Sequence, residues 1–190
     1  MQTARVGGWA GVLAPTLTLG AILLGTLLSP TFTWTESALS NLGAVGAATA
    51  WLFNGGLLLG SLVAVPFLVA FFRASEQLLQ RIGVVLLSLA LVGLFLVGVF
   101  PMGTTYHFPA ALSFYLFTTV ALWIHGSGSV LAGAPRTGLV SIWLGITNIM
   151  TWLVWIAQGP LTRGGLAVPE FIGACVFASW MVLASRRLLA

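Results

Sequence analysis

Glu36, His107 and Glu170 are the residues of this chain whose types could do acid–base chemistry. A histidine beside a carboxylate moves protons, and two carboxylates with one histidine make a set able to hold a metal. Groups suited to binding stand near them. Ser40 and Asn41 follow Glu36, Asn54 lies in the next apolar run, and Arg163 is a cation available for a phosphate. These positions are far apart in the chain, so any shared chemistry depends on the fold bringing their segments to one place.

Each residue also has a structural use. Thr33-x-x-Glu36 is a capping-box pattern. It predicts a short interfacial helix, with Ser37, Ser40, Asn41 and Ala44 on one face and Leu39 and Leu42 on another. Glu170 follows Pro169 where the last apolar run begins, and a helix dipole favours a carboxylate there. His107 precedes Phe108-Pro109 at another helix start, where a neutral imidazole can cap backbone donors. Amides within spans bridge helices more often than they bind ligands, which is the expectation for Asn54 and Asn148. His125 comes eighteen residues after His107. That puts both on one side of a helix about 27 Å apart, the spacing of two haem levels. Two bis-imidazole haems need four histidines and the chain has two, so haem ligation is rejected for the monomer. His125 is expected as a core or interfacial residue. The single Cys175 excludes an intrachain disulfide and a Cys-based zinc site, and no metal-ligating set is assigned. No G-x-S-x-G, H-E-x-x-H, Walker or Rossmann pattern occurs.

What must position these residues is set by composition. Hydrophobic residues make up 59% of the chain and charged ones 5%, with mean hydropathy +1.08. A soluble domain has roughly a quarter charged residues. Too little charge remains to cover a water-facing surface, so the solvent is lipid and the fold class is all-α, a polytopic membrane protein. Its basic residues are all arginine, without the interleaved basic and aromatic patches of a nucleic-acid binder. Membrane lipids are the expected partners, and no feature sets an oligomeric state.

Spans need about 20 apolar residues. Six segments qualify, at about 7–29, 46–72, 82–101, 108–131, 137–157 and 170–186, within a single transmembrane domain covering 1–190. The first apolar run, of about 22 residues, exceeds a signal-peptide core and reads as a retained helix. Pro30 and Pro101 close spans, while Pro109 and Pro169 fit first turns. Gly7-x-x-x-Gly11 and Gly56-x-x-x-Gly60 predict close helix packing. Trp9, Trp34, Trp51 and Trp180 are expected near the interfaces. With six spans, one side receives Arg5, Arg73, Arg81, Arg136, Arg186 and Arg187, and the other only Arg163. Positive-inside bias then makes both termini cytoplasmic, N-in/C-in, in the cell membrane. Glu76, between arginines, reads as a solvated partner. The opposite face collects Glu36, Ser40, Asn41, His107, Arg163 and Glu170, with Asn54 roughly two turns below it.

Several stretches read together. S-A-L-S-N-L-G (Ser37 to Gly43), F-N-G-G (Phe53 to Gly56) with Gly60, V-G-V-F-P (Val97 to Pro101) and H-F-P-A-A (His107 to Ala111) occur in this order. In these the chain resembles the family catalogued as domain of unknown function 998, small six-helix membrane proteins of bacteria and archaea. The resemblance runs from about Ser37 to the last helix. The family commonly has Ser-Asp-Leu-Gly where this chain has Ser40-Asn41-Leu42-Gly43, and often a Glu-Arg pair where Glu170 precedes Phe171. It is also remotely similar to damage-regulated autophagy modulator-type proteins, which implies a lipid-related role by analogy.

The function expected is binding of a lipid headgroup or membrane partner in an outward-facing polar pocket lined by Glu36, Ser40, Asn41, Asn54, His107, Arg163 and Glu170. The alternative is a membrane-embedded lipid hydrolase or transferase, with His107 acting beside Glu36 or Glu170, or these three holding a metal. A transporter fits less well, because the spans lack interior charges and obvious broken helices.

Overall fold

The structure, a computed structural model, describes residues 2–158 and 164–190. Arg163 lies outside the described residues. The helices are α1 (Gln2–Leu28), α2 (Ala50–Val63), α3 (Val65–Ala74), α4 (Leu78–Val99), α5 (His107–Leu131), α6 (Pro135–Ala157) and α7 (Ala167–Leu189), with a short 3₁₀ helix at Leu39–Gly43. α2 and α3 act as one span, Ala50–Ala74, so among the described residues six helices are long and apolar enough to cross a membrane. The chain is a multi-pass membrane protein, as its composition requires.

The second span starts at Ala50 instead of 46 because residues 44–49 are used up in turns. Ala47 N–H bonds Ala44 O at 3.0 Å, and Ala50 N–H bonds Ala47 O at 3.0 Å. Gly46 between them has φ 84°, a conformation glycine adopts without a Cβ clash. Pro66 divides the span. It has no N–H to give to the preceding turn, so the helix resets at Ala64, whose own N–H still reaches Gly60 O at 3.0 Å.

Each span packs on the spans before and after it in the chain, and the sixth returns to the first. The result is a closed ring of six. α7 is the most buried stave and α6 the most exposed. Exposed Leu27, Trp51 and Trp143 give the outer surface the apolar character that lipid requires.

Small residues let the staves approach, as the glycine spacing predicts. A Cβ on Gly7 would meet Ala70, and one on Gly11 would meet Phe67 and Ser185. Gly56 and Gly60 lie against Ala21 and Thr18 of α1. On α4, Gly83 and Gly93 face the backbone of α5 at His125 and Phe114. Asn148 bridges helices as expected, donating to Tyr115 O at 3.1 Å and to Thr119 Oγ1 at 2.8 Å.

Trp180 departs from its expected place. Its ring is buried, and its Nε1–H donates to Ser141 Oγ at 2.8 Å on α6. The interfacial reading fits the exposed Trp9, Trp34 and Trp51. Trp180 instead belongs to the core, a full helix turn and more from the end of α7.

Candidate functional site

The connection between α1 and α2 folds over one end of the ring. Its backbone runs beside the chain entering α7: Gly165 N–H donates to Thr35 O at 2.7 Å, and Ala167 N–H to Ser37 O at 2.9 Å. A Cβ on Gly165 would collide with the backbone of Glu36 and Ser37, so glycine permits this seam. Aromatic edges reinforce it. Trp34 meets Phe171 at 5.2 Å and Phe32 at 5.3 Å between ring centroids.

The capping box expected at Thr33 and Glu36 is absent. Ser37 takes the role instead: its Oγ accepts from Thr33 N–H at 3.1 Å, while its own N–H donates to Thr33 O at 3.1 Å. That closes a turn but starts no helix. The helical residues begin at Leu39, with Asn41 Oδ1 accepting from Ala38 N–H at 2.6 Å. Leu39, Ser40 and Leu42 turn inward, and Asn41 outward.

Glu170 is the pivot of this end. Its carboxylate sits in the first turn of α7, as the dipole argument expects, yet it also serves a second helix. Oε2 accepts from the Leu39 N–H at 2.6 Å, across 131 residues of sequence. The Ser40 amide is turned to the same carboxylate. The leading amides of two helices therefore converge on one buried carboxyl group. Tyr115 adds a hydrogen bond from its hydroxyl to the Glu170 carbonyl at 3.1 Å.

His107 also takes a different part from the one expected. Its Nδ1 lies 2.8 Å from Phe100 O, and a carbonyl only accepts, so the ring donates. The imidazole satisfies the carbonyl at the end of α4 and ties it to the start of α5. Asn54 donates from Nδ2 to Gly43 O at 2.9 Å, anchoring the 3₁₀ helix to α2.

Five of the seven sequence-expected residues thus fall into two compartments, with the 3₁₀ helix as the partition. Below it, Ser40, His107, Tyr115 and Glu170 line a cavity of about 50 Å³ that is apolar elsewhere. Above it, Glu36, Ser37 and Asn41 line an open cup of about 330 Å³ with Thr31 and Thr33. Glu36 is exposed there and has no ion pair or hydrogen bond among the described residues. Asn54 lines neither compartment. Among the described residues, no cluster of three His, Cys, Asp or Glu is placed to hold a metal.

Tyr115 went unnoticed in the sequence, although a signal existed. His107, Ala111 and Tyr115 recur every four residues on α5 and so share one helix face.

The profile of the family described as Protein of unknown function (DUF998) matches residues 12–187 of the chain. The chain belongs to this family. Comparison with curated proteins gives no match, and neither does comparison with solved structures. The two positions where the resemblance implies other residues have visible roles in this chain. Asn41 accepts its cap bond through Oδ1, a role an Asp carboxylate would fill equally. Phe171 holds α7 to Trp34 by ring contact, where an arginine would have to use charge or stacking.

Proposed function

We propose that this protein binds lipid headgroups in the cup above the 3₁₀ helix, with Glu36 as the charged contact. The observation that supports it most is a free carboxylate in a polar recess of about 330 Å³. Ligand pockets begin at roughly 300 Å³. The cavity holding His107 and Glu170, about 50 Å³, has room for a few water molecules and not for a headgroup. The cup offers one anion and the hydroxyls of Thr31, Thr33 and Ser37, so it suits an ammonium-bearing headgroup such as that of an aminophospholipid. In this reading the cup faces outward from the cell membrane and both termini are cytoplasmic, in keeping with six arginines at the opposite end.

The lipid hydrolase or transferase reading draws support from His107 and Glu170 sharing one cavity. It is the weaker reading, since Glu36 stands in the other compartment and Glu170 already accepts from the Leu39 amide.

Native mass spectrometry of protein released gently from host membranes is expected to show a bound aminophospholipid. Glu36→Gln should lower its occupancy at least tenfold, and Glu76→Gln, at the far end, should leave it unchanged. Equal occupancy in all three proteins would overturn the assignment. A reporter that is active only in the cytoplasm should be active when fused at Ala190; a silent fusion reverses the orientation.

A further inference from the structure

A second recess of about 340 Å³ opens at the arginine end, between α5, α6 and α7. Arg136 and Thr137 of α6 and Arg186 and Arg187 of α7 line it, and much of its wall is apolar. His125 forms part of that wall.

The imidazole is 5% exposed. It stacks on Phe71 at 5.0 Å and meets the Trp180 ring edge-on at 5.3 Å. These aromatic contacts fix the ring plane, but neither ring nitrogen has a hydrogen-bond partner among the described residues. Buried polar atoms are rarely left so. An imidazole always has at least one N–H to give, and this one borders the recess.

The arginines are equally unmatched. Arg136, Arg186 and Arg187 are exposed and make no ion pair or hydrogen bond among the described residues. Glu76, the acid at this end, sits on the α3–α4 connection and does not line the recess. The helix dipole accounts for Arg186 and Arg187, in the last turn of α7. It opposes Arg136, in the first turn of α6, where a cation is disfavoured. That turn has no side-chain cap, so its leading amides are open to an acceptor. A topology signal needs arginines in loops. It needs neither a recess nor an unpartnered imidazole in the recess wall.

We propose that this recess binds the phosphate of an anionic amphiphile. The guanidinium groups of Arg136, Arg186 and Arg187 hold phosphate oxygens, a geometry their forked donors suit. The first-turn amides of α6 add donors, and His125 gives a ring N–H from the wall. Trp180 and its apolar neighbours cover the first carbons beyond the phosphate. Basic pockets between helices at a cytoplasmic surface recognise anionic lipids through this chemistry. The site is independent of the Glu36 cup, at the other end of the ring and of opposite charge.

The test uses full-length protein in a non-ionic detergent, with phosphatidylglycerol and phosphatidylcholine added separately and complexes counted by native mass spectrometry. Phosphatidylglycerol is expected to bind at least tenfold more tightly. Arg136→Gln with Arg187→Gln should remove that preference. His125→Phe, which keeps an aromatic ring for Phe71 and Trp180, should weaken binding at least threefold while circular dichroism stays unchanged. Arg5→Gln with Arg73→Gln, at the same end but outside the recess, should have no effect. The proposal fails if the outside pair lowers binding as much as the recess pair, or if His125→Phe binds like the unaltered protein. Competition by millimolar inorganic phosphate or glycerol phosphate separates the sources. Displacement identifies a soluble phosphate ester as ligand, and resistance identifies the lipid; both uphold the phosphate site.

Discussion

Replacing Glu170 by alanine is expected to destabilise the purified protein by about 3 kcal/mol, since a buried amide left without its acceptor costs about 1–3 kcal/mol and a charged partner raises that figure. The Leu39 N–H loses its bond and the Ser40 amide the carboxyl oxygen it faces. Glu170→Gln keeps an oxygen for the same donor but no charge, so about half the loss is expected. Equilibrium unfolding in mixed micelles measures both. Limited proteolysis adds a specific sign: the segment from Thr33 to Ala44 should become cleavable in Glu170→Ala before the helices do. An alanine variant within about 0.5 kcal/mol of the parent, below the usual worth of one hydrogen bond, means some other group serves Leu39 and the clamp is misassigned.

Gly93→Leu should be comparably severe, for a steric reason. A Cβ there would sit 2.7 Å from Phe114 N and 3.0 Å from Ala110 O. Both are backbone atoms of α5, so no side-chain rotation relieves the overlap and α4 must move away. Overpacking costs about 1–3 kcal/mol, and the larger end applies where backbone is the obstacle. Leaving glycine returns about 1 kcal/mol of helix propensity, which does not reverse the sign. Gly55→Ala is the contrast. Nothing lies within 4 Å of its added Cβ, so it should be neutral or stabilising by up to about 1 kcal/mol. Should Gly93→Leu unfold no more easily than Gly55→Ala, the close α4–α5 approach would not be what holds these spans together.

The six spans and most of their ends were readable because hydropathy adds up locally. Apolar runs, Pro30 after α1 and Pro101 after α4 mark the boundaries without reference to the rest of the chain. The α2–α3 break at Pro66 was not read from the sequence, since Pro15 lies as deep in α1 and leaves that helix continuous. Polar partnerships were not readable either. Thr33-x-x-Glu36 and Thr33-x-x-x-Ser37 are both plausible local closures, and the choice of Ser37 follows from the seam with Gly165 and Ala167, about 130 residues away. Glu170 was correctly placed at a helix start, but its service to Leu39 depends on tertiary approach. His125 looked like core and is buried; its missing hydrogen-bond partners become visible once Phe71 and Trp180 are seen to occupy its neighbourhood with rings.

A ring that closes by meeting its own beginning imposes an order in time. The first helix is made well before α7, the neighbour that covers its second flank. Until α7 arrives, Gly8 has no Leu188 or Leu189 beside it and Leu39 has no carboxylate. A nascent chain of five spans is therefore an open arc, with a vacant seam at the α1 edge for lipid or a chaperone to fill. Deleting α7, Ala167–Leu189, leaves that arc permanently open.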